Sequence, residues 1–303
     1  MKQARAFSPC HITGFFQILD QSANSLYAGS RGAGVSLNRG LETVVKIRKA
    51  LKSSLQIRIN GSASNSEVSK RVVDAFLSRF EEIENFEITV EHIVKVPIGA
   101  GFGTSGAAAL SLALALNDVF SLGMPKIKPA QIAHMAEVEC KTGLGTVIAE
   151  TFGGVEIRVK PGAPGIGEIK HVPVPKDHVV ACLTFGSLPT QKLLAHEKTC
   201  KRINELGGKL VHKLIEEPSI TNFMRFSRQF VEHIGLVTEK MRRVLNATDN
   251  GDIVCSMPMF GESIFALIEQ ESLKEILEIF GKYGLNGRII ASKIDFEGAR
   301  LLK

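Results

Sequence analysis

Four glycines fall within eight residues, at Gly99, Gly101, Gly103 and Gly106, in the run Val96-Pro97-Ile98-Gly99-Ala100-Gly101-Phe102-Gly103-Thr104-Ser105-Gly106-Ala107. No other feature constrains the fold as tightly. The alternating run 86–96 ahead of it reads as a strand ended by Pro97, and the alanine-rich run from about 105 to 120 behind it reads as a helix. Glycine permits positive φ and lets backbone amides approach a ligand closely. A helix start offers unpaired N–H groups and the positive end of the macrodipole, so strand, loop and helix together make an anion site. Thr104 and Ser105 add hydroxyls where phosphate or a metal would lie. An ordinary turn capped by Thr104 or Ser105 would need one glycine, not four.

Two familiar phosphate loops do not fit. A Walker A loop ends in Gly-Lys-Ser/Thr, and here Gly106 is followed by Ala107. Residues 101–106 match G-x-G-x-x-G, but a dinucleotide site needs a second parallel strand ending in an acidic residue about 20 positions on. Here a second helical pattern follows, and that position is Lys126.

Composition bounds the rest. The chain has 303 residues and is 44% hydrophobic, enough for a large core or two domains. The net charge of +6 fits a solvated lysine and arginine surplus or a mild attraction for anionic ligands. With no dense basic run, no Trp and two Tyr, nucleic acid is not an expected partner. Cys10, Cys140, Cys182, Cys200 and Cys255 form no Cys-x-x-Cys pair, so neither zinc nor a disulfide framework is signalled. The first residues show no apolar signal core, and the weakly polar stretch 106–116 is too short to span a bilayer, so a cytoplasmic enzyme with no membrane partner is expected.

The pattern predicts strands over 44–48 and 55–59, a helix over 68–83 that includes Phe80 and Ile83, a helix over 129–141, a short helix at 147–150 and a strand over 155–159. His92 lies on the apolar face of its strand, as a core histidine would. The densest Pro/Gly segment, 160–167, puts a domain boundary near 170. Beyond it come a buried strand at 178–185, helices over 188–246, then helix, helix and strand at 262–269, 273–283 and 287–294.

The loop 97–107 resembles the phosphate loop of the GHMP kinase superfamily, which includes galactokinase, homoserine kinase, mevalonate kinase and phosphomevalonate kinase. Its variants at Phe102, Thr104 and Gly106 point to one branch. So do Phe7-Ser8-Pro9-Cys10-His11-Ile12-Thr13-Gly14-Phe15-Phe16, Gly29-Ser30-Arg31-Gly32-Ala33-Gly34, Ala136-Glu137-Val138-Glu139 with Thr142-Gly143-Leu144-Gly145-Thr146-Val147, and Met259-Phe260-Gly261-Glu262-Ser263. These are similar, in order over nearly the whole chain, to the archaeal pantoate kinases. The resemblance implies an α+β fold: a ribosomal-S5-like N-terminal domain (1–170) that binds ATP, and a ferredoxin-like C-terminal domain (171–303) with a helical insertion. It implies transfer of the ATP γ-phosphoryl group to pantoate with Mg2+, giving 4-phosphopantoate on the way to coenzyme A. A homodimer is left open.

By the same resemblance, Pro97, Gly99, Gly101, Gly103, Thr104, Ser105, Gly106 and Ala107 hold the nucleotide, with glycine keeping side chains out of the phosphate space. Ser105 and Glu137 hold the metal. Two departures matter. Several family members place an aspartate base where this chain has Thr146, and threonine is a poor base. His11 then stands as the candidate base, or positioning alone suffices. The late motif, 256–262, keeps a single glycine, Gly261. For the acceptor carboxylate, a bidentate arginine is expected: Arg31 beside Gly32 first, Arg158 second, with His11 near the acceptor. Phe15 or Phe16 could face the pantoate methyl groups, although a core role suits either. The rivals are a kinase of the same family for homoserine, mevalonate, phosphomevalonate or shikimate, and a regulator that binds nucleotide without catalysis.

Overall fold

The computed structural model describes residues 1–79, 85–188, 197–249 and 253–303. Two long antiparallel strands, β1 (Lys2–Leu19) and β2 (Gly29–Lys49), frame it. The near half of β2 pairs with β6 (Val155–Lys160), and the far half with β5 (Phe86–Val94). Around them lie β3 (Ser54–Ile59) parallel to β5, β4 (Ser62–Ala63), and β7 (Glu168–His171) beside β6. The last strand, β11 (Arg300–Leu302), returns to pair with β1, so this sheet draws on both ends of the chain.

Helices α1 (Glu67–Leu77), α2 (Thr104–Val119) and α3 (Ile127–Glu139) share a core with β1, β2 and β5. α2 is apolar all round and almost wholly buried, as a central helix must be. Its alanines let β1, β2, α1 and α3 close around it. α4 (Thr146–Phe152) follows a glycine-rich turn.

A second sheet, in the order β10–β8–β9, is built from β8 (His178–Ser187), β9 (Gly261–Glu269) and β10 (Arg288–Lys293). Between β8 and β9 come α5 (Glu197–Glu216), α6 (Ile220–Ile234) and α7 (Glu239–Thr248), which form the expected helical insertion. α8 (Leu273–Tyr283) covers the sheet with α7. Phe223, Phe226 and Phe230 of α6 bring their rings to within 6.4 Å of Phe15 on β1. Each such fully buried ring contributes about 1.5–3 kcal/mol. Phe15 is therefore a core residue that ties the insertion to the larger sheet.

Three expectations change. Residues 262–269 form strand β9, not a helix, because Ile264 to Ile268 make one continuous buried apolar run that periodicity cannot assign. Strand is also unbroken through 2–19 and 29–49, where the pattern gave only 44–48. Helix α1 ends at Leu77, and the predicted turn through Phe80 and Ile83 lies outside the described residues, as do 189–196 of the predicted helix from 188.

Candidate active site

Gly99, Gly101 and Gly103 all take positive φ, at 75°, 86° and 63°. Gly103 is the N-cap of α2 in the left-handed region, and no side chain caps the helix. Thr104 and Ser105 are thus inside the first turn rather than capping it. Pro97 is half-buried at the loop's entry, and Gly106 and Ala107 are buried in the helix.

The second sheet seats on this loop. A Cβ on Gly99 would lie 2.9 Å from Ser187 Cβ, and one on Gly101 2.9 Å from Pro258 Cβ. Ser263 Oγ donates to Ala100 O at 2.9 Å, and Gly261 presses against the same carbonyl. The single glycine of the late motif is the one this approach requires.

The other two loop glycines pack against α4. A Cβ on Gly103 would lie 2.6 Å from Thr146 Cγ2 and 3.0 Å from Glu150 Oε1, and one on Gly106 3.0 Å from Glu150 Oε2. Both make room for α4. Glu150 is fully buried, and neither carboxylate oxygen has a hydrogen-bond partner among the described residues. Burial, reinforced by Glu137 and Glu156, pushes its carboxyl well above the usual range.

Ser105 and Glu137 meet. Glu137, near the end of α3, is buried, accepts from Thr142 Oγ1 at 2.5 Å and lies beside the Ser105 hydroxyl. Burial raises its carboxyl above the ordinary range, and the two hydroxyls partly offset that. Its Oε2 has no partner among the described residues. A hydroxyl beside a carboxylate with a spare oxygen, at the start of α2, fits a hard cation such as Mg2+. Gly143 leaves the space that Oε2 occupies.

Next to this pair is a cavity lined by Thr13, Phe16, Ser30, Thr142–Thr146, Arg158, Met259 and Phe260. Thr146 opens α4 and faces it. Arg158, 1% exposed, reaches it from β6. Its Nη1 donates to Glu156 Oε1 at 2.5 Å, while its Nε has no partner among the described residues. Burial lowers its pKa. A Cβ on Gly145 would come within 2.8 Å of that Nε. Glu156 also takes His11, whose Nε2 lies 3.0 and 3.1 Å from its two oxygens. His11 is buried behind the cavity wall.

Arg31 is not among the lining residues. Successive strand residues face opposite ways, so while Ser30 lines the cavity, Arg31 reaches α5, with Nη1 3.3 Å from His212 Nε2. Gly32 lies across from Arg158 in the β2–β6 pairing. Sequence reasoning missed Thr13, Ser30, Thr142, Glu150 and Glu156. Glu156 carried no readable signal: with Arg158 and Lys160 it gives the β6 sequence the polar face of a half-exposed strand.

A glycine loop feeding an uncapped helix, with a metal-suited pair on one side and a cationic cavity on the other, defines a GHMP-class kinase. Residues 67–154 match the family model for the GHMP kinases N terminal domain. The chain is 32% identical to the pantoate kinase of Methanocaldococcus jannaschii over 90% of its length and 96% of the relative's. It is 33% identical to that of Thermococcus kodakarensis over 93% of both. A solved phosphotransferase related to the CoA biosynthesis pathway superposes with a TM-score of 0.89 at 30% identity, covering 99% of this chain and 98% of that one. The chain belongs to the pantoate kinase family of the GHMP kinases. It is an ATP-dependent kinase of a small-molecule substrate, and among the described residues no helix is long and apolar enough to cross a membrane.

Proposed function

We propose that this enzyme transfers the γ-phosphoryl group of ATP to pantoate, giving 4-phosphopantoate. The observation that carries this reading is the cavity's chemistry. Pantoate has a carboxylate, two hydroxyls and a geminal dimethyl group. The cavity offers one buried guanidinium with a free Nε, the hydroxyls of Thr13, Ser30, Thr142 and Thr146, and apolar walls from Phe16, Leu144, Met259 and Phe260. Among the described residues no carboxylate lines it, so the ammonium group of homoserine would find no counter-charge from them.

In this reading residues 1–170 hold ATP and 171–303 cover the loop. Amides of 101–107 cradle the phosphates, since phosphoryl transfer is catalysed chiefly by positioning and by stabilising developing charge. Ser105 and Glu137 would hold Mg2+, which neutralises phosphate charge when bound. Arg158 orients the acceptor by its carboxylate, and Thr146 borders the reacting hydroxyl.

A coupled ADP assay over a panel of acceptors tests the assignment. Pantoate should give the highest kcat/KM, and at least tenfold better turnover of homoserine or mevalonate would overturn it. The lack of an acid at Thr146 favours one second reading, a nucleotide-binding regulator. ATP binding with no turnover of any acceptor would support that instead.

A further inference from the structure

The transferred group needs an alcohol that gives up its proton, yet among the described residues no carboxylate or imidazole lines the cavity. Glu150, one turn along α4 from Thr146, is not a lining residue either. One lining hydroxyl does reach a base. Thr13 Oγ1 lies 3.4 Å from His11 Nδ1, and His11 Nε2 lies 3.0 and 3.1 Å from the two oxygens of Glu156.

Backbone geometry aims this chain of groups. His11 and Thr13 share a face of β1. Immediately after Thr13 the β1–β2 register shifts, so that Thr13 opposes Gly34 and Phe15 opposes Ala33. Bulges of this kind re-aim side chains. Here the shift lets Thr13 and Phe16, three positions apart, both line the cavity. Gly34 leaves room for the His11 ring.

The roles follow from the partners. Glu156 is ion-paired with Arg158 and offers acceptors only, so the proton of neutral His11 sits on Nε2. Nδ1 is left with a lone pair toward Thr13. We propose that Thr13 takes the acceptor's proton while passing its own to His11, a Glu156–His11–Thr13 relay that stands in for the acid absent at Thr146. The acceptor oxygen forms its bond to the γ-phosphorus, the bond from that phosphorus to the ADP oxygen breaks, and the released proton ends on His11 Nδ1. Glu156 stabilises the resulting imidazolium. The 3.4 Å separation is long, as such bonds are before substrate binds. Thr13 is the catalytic residue, and His11 and Glu156 act through it.

The inference rests on the phosphoryl-transfer reading but not on pantoate. The experiment uses whichever alcohol the wild-type enzyme turns over best, so a wrong acceptor and a wrong relay give separate results. Thr13→Val keeps the side-chain shape and removes the hydroxyl, and Thr13→Ser restores it. Thr13→Val should lower kcat by about a hundredfold, with KM for ATP little changed and the melting temperature retained. Thr13→Ser should stay within about fivefold of wild type. In 15N spectra of the wild-type enzyme, His11 should be protonated at Nε2 and bare at Nδ1. A Thr13→Val enzyme with wild-type kcat, a Thr13→Ser enzyme as impaired as Thr13→Val, or the opposite His11 tautomer would each overturn the relay.

Discussion

Gly32 of β2 and Arg158 of β6 are cross-strand partners, and a Cβ on Gly32 would lie 2.6 Å from Arg158 Nη2. The glycine makes room for the Phe15 carbonyl, 2.5 Å from that Cβ, and for the guanidinium, so its place beside Arg31 does not concern Arg31 itself. We therefore propose the reverse of the expected order, with Arg158 before Arg31 as the carboxylate partner. Arg158→Lys keeps a cation beside Glu156 but loses the planar fork. It should raise the pantoate KM at least about thirtyfold, the lower end of the cost of an unpaired buried carboxylate. Arg31→Ala should change it less than about threefold. Kinetics with pantoate varied at saturating ATP measure both, and a large effect confined to Arg31→Ala would return the carboxylate to the other side of β2.

The Ser105–Glu137 contact joins the first turn of α2 to the end of α3. Ser105→Ala and Glu137→Gln should each lower kcat by about a hundredfold, as loss of a group that stabilises transition-state charge does. ATP affinity should fall much less. Calorimetric titration with Mg2+ in the presence of a non-hydrolysable ATP analogue should show weakened metal binding in both. Wild-type rates at saturating Mg2+ in both variants would remove the metal role.

The loop and its helix were legible because glycine density and an apolar helix leave one physical solution. The resemblance supplied Ser105 and Glu137, and geometry brings them together. Other parts were hidden for definite reasons. β1 is buried along most of its length, so it lacks the alternation that marks a half-buried strand. β9 is a buried run too short to tell from a helix. Thr13 is one threonine in a largely buried strand, and the register shift beside it is not visible in the sequence. The packing of α4 against Gly103 and Gly106 was hidden because nothing in the sequence brings Thr146 and Glu150 to the loop.

That packing can be separated from backbone strain. Gly61 and Gly103 both have positive φ, at 81° and 63°, but a Cβ on Gly61 meets nothing within 4 Å. Gly61→Ala should cost only the left-handed penalty, about 1–2 kcal/mol. Gly103→Ala must also displace Thr146 and should cost a further 1–3 kcal/mol or so. Urea denaturation reads the difference, and ATP affinity should fall only in Gly103→Ala. Equal stability losses would mean that α4 yields freely and the glycine serves the ligand alone.

His92 gives the fold a pH dependence of known sign. It is buried on β5, with Nδ1 2.8 Å from Thr43 Oγ1 and Nε2 3.0 Å from Ser69 Oγ. Thr43 Oγ1 lies 2.6 Å from Ser111 Oγ, which donates to Ala107 O in the first turns of α2. Burial lowers the imidazole pKa from 6.5 to about 4. The unfolded chain therefore takes up this proton first as pH falls. The contribution is fully present above about 6.5, declines between 6.5 and 4, and is lost below that. At about 1.4 kcal/mol per unit the window is worth roughly 3 kcal/mol. His92→Gln keeps a donor and an acceptor but does not titrate. Between pH 7 and pH 4.5, wild-type stability in urea should fall further than that of His92→Gln by about 2–3 kcal/mol. Parallel curves for the two proteins would mean that His92 is hydrated and titrates alike in both states.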